Sequence, residues 1–96
     1  LIPTFNGALT KSKEAADVAN IRAGYAELQV QMLTDNAAVP TDKSAFLTSY
    51  AHVDALNYDD KFAYEKKDET ATLKYSPEKI NDKKAYTWEV KNPNIA

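Results

Sequence analysis

One histidine, His52, stands in a chain of 96 residues that has no cysteine. Catalytic dyads built on Cys and His are therefore excluded, as are thiolate and His-rich metal sites. Ser49, His52 and Asp54 form a Ser-His-Asp set on paper, yet no nucleophile elbow or oxyanion-loop pattern accompanies them. A solvated or cap-forming His52 is the expectation. Asp54, Asn57, Asp59 and Asp60 cluster hard oxygen ligands of the kind Ca²⁺ accepts. Their spacing departs from an EF-hand loop, and a solvated acidic turn has the same composition. Carboxylates are plentiful, but no pair stands in an apolar setting that would push two pKa values apart. Glycine occurs only at positions 7 and 24, which excludes Gly-rich phosphate cradles. The residue inventory thus predicts a protein that is not an enzyme, with no cofactor and no bound metal.

A second class of chemistry rests on rings. Phe62, Tyr64, Tyr75, Tyr86 and Trp88 would stack against sugars or form an adhesive patch if they faced solvent. Packed instead on Ile21, Tyr25, Leu28 and Met32, they would supply the core that so short a chain needs.

Charge narrows the partners. The net charge is −2 and the pI is near 5.3, without the basic stripe of a nucleic-acid binder. Lysines are interleaved with acids, so no polybasic membrane patch forms. No apolar run approaches the roughly 20 residues that span a bilayer. No basic start followed by an apolar segment marks a signal peptide within these residues.

The elements that would position these groups change character once along the chain. Residues 8–33 are rich in Ala, Leu, Glu, Gln and Lys and lack proline, which predicts helix across 1–34. Thirty such residues rise roughly 46 Å, more than a domain of this size needs for its own core. Turned by about 100° per residue, Val18, Ile21, Tyr25, Leu28 and Met32 form one stripe of large side chains. Ala15, Ala19, Ala23, Ala26, Val30 and Leu33 form a second stripe, mostly of small ones. Arg22 and Gln29 lie between the stripes, and Lys13, Asp17, Asn20, Glu27 and Gln31 occupy the opposite face. Two arrangements follow. Either both stripes form one broad buried face, or the large stripe meets the domain's own sheet and the alanine stripe admits another helix at close range.

The helix is expected to end near Thr34-Asp35-Asn36. Residues 35–60 form a connecting region in which Thr41 or Asp42 could cap a short helix bearing Phe46, Tyr50 and Val53. Alternation around His52 allows a strand there as well. Three strands follow in 61–96, namely Lys61–Lys67, Thr70–Tyr75 and Ala85–Lys91, joined by short polar turns. Their inner face would carry Phe62, Tyr64, Leu73, Tyr75, Tyr86, Trp88 and Val90, and their outer face Lys, Glu and Thr. The fold class is α+β: one domain, 1–96, with a long N-terminal helix against a small antiparallel meander.

The opening Ile2-Pro3-Thr4-Phe5, the helix with Lys11, Lys13 and Glu14, and the segment Ala19-Asn20-Ile21-Arg22-Ala23-Gly24-Tyr25-Ala26-Glu27 resemble the second half of a type IV pilin or pseudopilin N-terminal helix. Together with the apolar opening Leu1-Ile2-Pro3-Thr4-Phe5, the resemblance leads us to expect a longer, more hydrophobic precursor processed by a prepilin peptidase. It implies a structural subunit of a pilus or type II secretion-like filament. Such a subunit is held in the membrane by a segment upstream of Leu1, is displayed at the cell surface, and is partnered by copies of itself and other pilin-like subunits. It further implies that Ile2, Pro3, Phe5 and Leu9 lie near the membrane-proximal part. Ala15, Ala19, Ala23 and Ala26 would form the packing stripe, and Pro3 and Gly7 would mark where the helix bends or loosens. The Cys pair that closes the C-terminal loop of many pilins is missing here.

Overall fold

A computed structural model describes the backbone of residues 2–94 and the side chains of 7–94. Helix α1, Ile2–Thr34, runs 33 residues. At about 1.5 Å per residue that is about 50 Å of rod, and it sets the long dimension of a molecule measuring 55 × 22 × 17 Å. Strand β1 is Phe62–Lys67, β2 is Thr70–Tyr75 and β3 is Tyr86–Lys91. They form one antiparallel sheet in the order β1-β2-β3, with Phe62 opposite Tyr75 and Leu73 opposite Trp88. Helix followed by meander is the α+β layout expected from composition, and each strand begins within one residue of its expected start.

Alternation decides the sheet's two faces. In β2 the residues Ala71, Leu73 and Tyr75 are fully buried, while Thr72 and Lys74 point to solvent. Phe62 and Val90 join them from the flanking strands, and Tyr64, Tyr86 and Trp88 pack against the same core from its margin. From α1 come Val18, Ile21, Leu28 and Met32, with Tyr25 at the edge. The large stripe is therefore the core face of the helix. The alanine stripe is not part of it: Ala15, Ala19, Ala23 and Ala26 are exposed, so the single broad buried face is ruled out.

The connecting region folds as helix, not strand. Asp42 sits in extended conformation and its Oδ1 accepts the Ala45 N–H at 2.8 Å, which caps α2, Lys43–Phe46. The chain then widens into a π-turn, Leu47–Ala51, ended by His52 in the left-handed region (φ 57°). Phe46, Leu47 and Ala51 are buried, whereas Tyr50 and Val53 only pack against the core from outside. The extra residue of the π-turn shifts burial off the 3.6-residue stripe read from sequence. A 3₁₀ turn, Asp59–Lys61, leads into β1, so Lys61 precedes the strand that was expected to contain it.

Gly24 makes this packing possible. A Cβ there would lie 2.9 Å from Ala51 Cβ, Ala51 N and Phe46 Cζ. Two of these atoms belong to a packed backbone turn and its methyl, which cannot swing aside. Gly24→Ala gains about 1 kcal/mol of helix propensity but forces α1 and the π-turn apart at about 1–3 kcal/mol. We expect a net loss of stability, read as a lower urea midpoint. A stabilised variant would contradict the close approach.

Candidate functional site

Two carboxylates on α1 face the core. Glu14 and Asp17 are both 0 % exposed, although the helical pattern suggests a solvent-facing Asp17. The signal was present in the spacing. Glu14 stands four residues before Val18 and seven before Ile21, and Asp17 stands four before Ile21 and seven before Gly24. Acidic character hid what position indicated.

Each buried oxygen is provided for. Asp17 Oδ1 accepts the Asn57 N–H at 2.7 Å, and its Oδ2 accepts the Tyr58 N–H at 2.9 Å and the Tyr75 hydroxyl at 2.7 Å. Glu14 Oε2 accepts the Lys61 ammonium at 2.7 Å and the Glu78 N–H at 2.5 Å. Its Oε1 accepts the Lys79 N–H at 2.9 Å and the Ile80 N–H at 3.2 Å. One turn of helix thus gathers the segment before β1, the end of β2 and the β2–β3 loop. A buried charge without such partners would cost several kcal/mol. Among the described residues no buried side-chain polar atom lacks a partner.

The protonation states follow from this geometry. Burial pushes the Glu14 carboxyl up, but the Glu78 amide, the Lys61 ammonium and the Lys79 amide outweigh it and hold the pKa below its ordinary 4.5. Burial pushes Lys61 down, and Glu14, Glu78 and Tyr58 reverse this to raise it. Its Nζ also sits 4.0 Å from the Tyr58 ring centroid. Tyr75 is raised by burial and by the bond to Asp17. Tyr64 is raised by burial and by the charge of Asp42, and its hydroxyl donates to Pro40 O at 2.6 Å.

The opposite side of α1 is open. Ala15, Ala19, Ala23 and Ala26 run along it, continued by Val30 at 54 % and Leu33 at 73 % exposure, and Leu9 is 44 % exposed toward the other end. Arg22 and Gln29 flank the row and are exposed too. Ile2, Pro3 and Phe5 lie in the first turns of α1, with side chains outside the described residues. The helix continues through Gly7 without interruption. Near the far end a groove of about 180 Å³ is lined by Gln29, Met32, Leu33, Lys91 and Pro93.

The other candidates are dispersed. His52 Nε2 lies 2.6 Å from Glu27 Oε2, and neither Ser49 nor Asp54 is bonded to it. Asp59 is paired with Lys43 at 3.0 Å, and the Asn57 side chain donates to Lys13 O. No group of three or more acidic or His side chains is placed to hold a metal ion among the described residues. No helix is long and apolar enough to cross a membrane among them. The sheet rings face the core side. Phe62 and Tyr75 are buried, and Tyr86 and Trp88 stack on each other at 6.1 Å, partly buried.

Replacing Asp17 by Ala strands two part-buried amides and a buried phenol, and about 3 kcal/mol of stability should be lost in urea unfolding. The pH profile should carry two limbs. Glu14 has its folded pKa lowered, so its contribution is full above pH 4.5 and is lost as pH falls through the lower folded value. Tyr75 and Tyr64 have folded values raised above 10.0, so theirs is full below that pH and is lost as pH rises. Urea midpoints measured across pH check both, and Tyr75→Phe should flatten the alkaline limb. Compared with family models, curated proteins and solved structures, the chain matches none of them.

Proposed function

We propose that this chain is the body of a type IV pilin-like or pseudopilin filament subunit, in which the outer face of α1 packs against α1 of sibling subunits. The observation that carries the reading is the division of labour on that helix. Its large stripe and two acids are committed to the chain's own sheet and loops, while Ala15, Ala19, Ala23, Ala26, Val30 and Leu33 stay open on the other side. A row of methyl-sized side chains lets a neighbouring backbone approach closely. Open apolar residues in line with it supply surface to bury.

Length supports the same reading. Among the residues whose side chains are described, the buried positions of α1 run from Glu14 to Met32, and the helix already extends from Ile2. The N-terminal turns therefore extend the rod beyond the engaged stretch, and in the proposed subunit they lead toward the membrane segment upstream. Ile2, Pro3, Phe5 and Leu9 belong to that part. The sheet, with Glu65, Lys67, Thr72, Lys74, Thr87 and Glu89 outward, becomes the solvent face of the polymer. Subunit, sibling and membrane are the partners, and no step of catalysis is required. Display of the sheet aromatics as a glycan- or protein-binding surface is less well supported, because Phe62 and Tyr75 are buried and Tyr64 is bonded to Pro40.

Full-length protein carrying both Ala19→Arg and Ala23→Arg tests the packing stripe. Both positions are exposed in the single chain, so the fold should survive, shown by unchanged Trp88 emission. Filament yield in a sedimentation or surface-display assay should fall to background. Assembly at the level of the unmodified protein would remove the stripe from the interface.

A further inference from the structure

The β2–β3 connection, residues 76–85, is far from a passive turn. Pro77 is buried and Ile80 packs against the core margin. Immediately after them, Asn81, Asp82 and Lys83 have φ values of 56°, 51° and 66°. Three successive non-glycine residues in the left-handed region form a short left-handed turn, tied by Lys83 N–H to Ile80 O at 3.0 Å and Lys84 N–H to Asn81 O at 2.9 Å. Asn81 Nδ2 adds a bond to Lys84 O. For L-residues that conformation is costly at each position, and it persists only where the surroundings over-determine it. The three N–H groups that enter the turn, at 78, 79 and 80, all end on the Glu14 carboxylate.

We propose that residues 77–84 form a charge-locked strap: the ionised Glu14 carboxylate holds the strained left-handed turn closed against α1, and neutralising it releases the strap while the sheet stays folded. The sheet can stay because its restraints are separate. The β2–β3 ladder pairs Thr70–Tyr75 with Tyr86–Lys91, and Asp17 keeps its own three donors. The groups facing Glu14 are Lys61 from the turn before β1, Glu78 and Lys79 from the strap, and Tyr75 with Asp17 one helical turn on. Tyr58 lies beneath the Lys61 ammonium, and Glu78 Oε2 stands 3.8 Å from it. When Glu14 takes up a proton, Lys61 keeps Glu78 as its remaining carboxylate neighbour. That attraction draws Lys61 toward the strap and away from the helix. Release would uncover the end of the core between α1 and β2, where Ile80 and Pro77 now sit.

Amide hydrogen exchange on the whole chain carrying Glu14→Gln tests this. The amides of Glu78, Lys79 and Ile80 should exchange about tenfold to a hundredfold faster than in the unmodified protein, with ladder amides such as Leu73 and Trp88 unchanged. The same local loss should appear in the unmodified protein as pH is lowered from about 7 toward about 3, before the ladder opens. That measurement decides the matter if the variant does not fold. Asp82→Gly, which removes the left-handed penalty at one position, should slow exchange at 78–80. Unchanged exchange at 78–80 in E14Q, exchange that rises only together with the ladder amides, or no effect of D82G would each overturn the strap.

Discussion

Everything in this fold is referred to one turn of helix. Glu14 and Asp17 are the positions where a rod held mainly by apolar contact acquires most of its fixed register. Apolar packing of Val18, Ile21, Leu28 and Met32 supplies most of the attraction but little direction, since a core tolerates small slides of one element over another. Seven hydrogen bonds to two carboxylates do not tolerate them. A slip of one residue along α1 would leave charges buried without partners, which costs more than the slip could gain. Six of those seven donors lie on either side of the β1–β2 hairpin, before β1 and after β2, and the seventh is a hydroxyl from β2 itself. The acids therefore define where the sheet stands along the helix, and Gly24 defines how closely the π-turn may approach beside it.

The two ends of the engaged stretch of α1 are fastened by different means. At the C-terminal end the last turn is closed by Asn36 in the left-handed region, by Ala37 N–H returning to Gln31 O, and by Asn94 Nδ2 donating to Met32 O at 2.8 Å. Asn92 in turn is held by Glu69 at the β1–β2 turn. The tail after β3 thus ties the far end of the sheet to the far end of α1, while the acids tie the near end. A rod held at both ends of its engaged stretch is stiff there, and Tyr25, whose hydroxyl donates to Glu89 O at 3.2 Å, adds a bond midway.

Much of this was legible in the residues. Period-two alternation placed Phe62, Leu73, Tyr75 and Val90 on one face and lysines and threonines on the other, because a strand leaves no third choice. The 3.6-residue period placed Val18, Ile21, Leu28 and Met32 inward for a similar reason. A short helix capped at Thr41 or Asp42, and an α1 end near Thr34-Asp35-Asn36, followed from local backbone chemistry, and the structure places them at Asp42 and Thr34. The clasp was missed on different grounds. Hydrophobic patterning counts a carboxylate as a surface residue, and only the backbone amides of distant loops make its burial favourable. Those amides are anonymous in sequence, since any residue but proline supplies one. The left-handed turn at Asn81–Lys83 was hidden likewise, for Lys83 carries no turn signature and the bonds from residues 78–80 to Glu14 join it to a distant part of the chain. The π-turn at Leu47–Ala51 displaced burial from Tyr50 to Ala51 because one inserted residue shifts a stripe by a full position.

The outer face of α1 admits two physical accounts, and the residues discriminate between them. Alanine is the best helix former, so a long rod could carry Ala15, Ala19, Ala23 and Ala26 for its own stability with no partner in view. Propensity does not extend that account to Val30, whose β-branched side chain is a poorer helix former than Gln or Lys and is 54 % exposed. Nor does it favour Leu33 over a charged residue of similar propensity at a position 73 % exposed, in the last turn where a lysine or arginine would also complement the helix dipole. The row keeps apolar character where folding of the single chain gives no reason for it, and it keeps that character in line with the alanines. Burial against a neighbour, as proposed above, would account for the whole row at once.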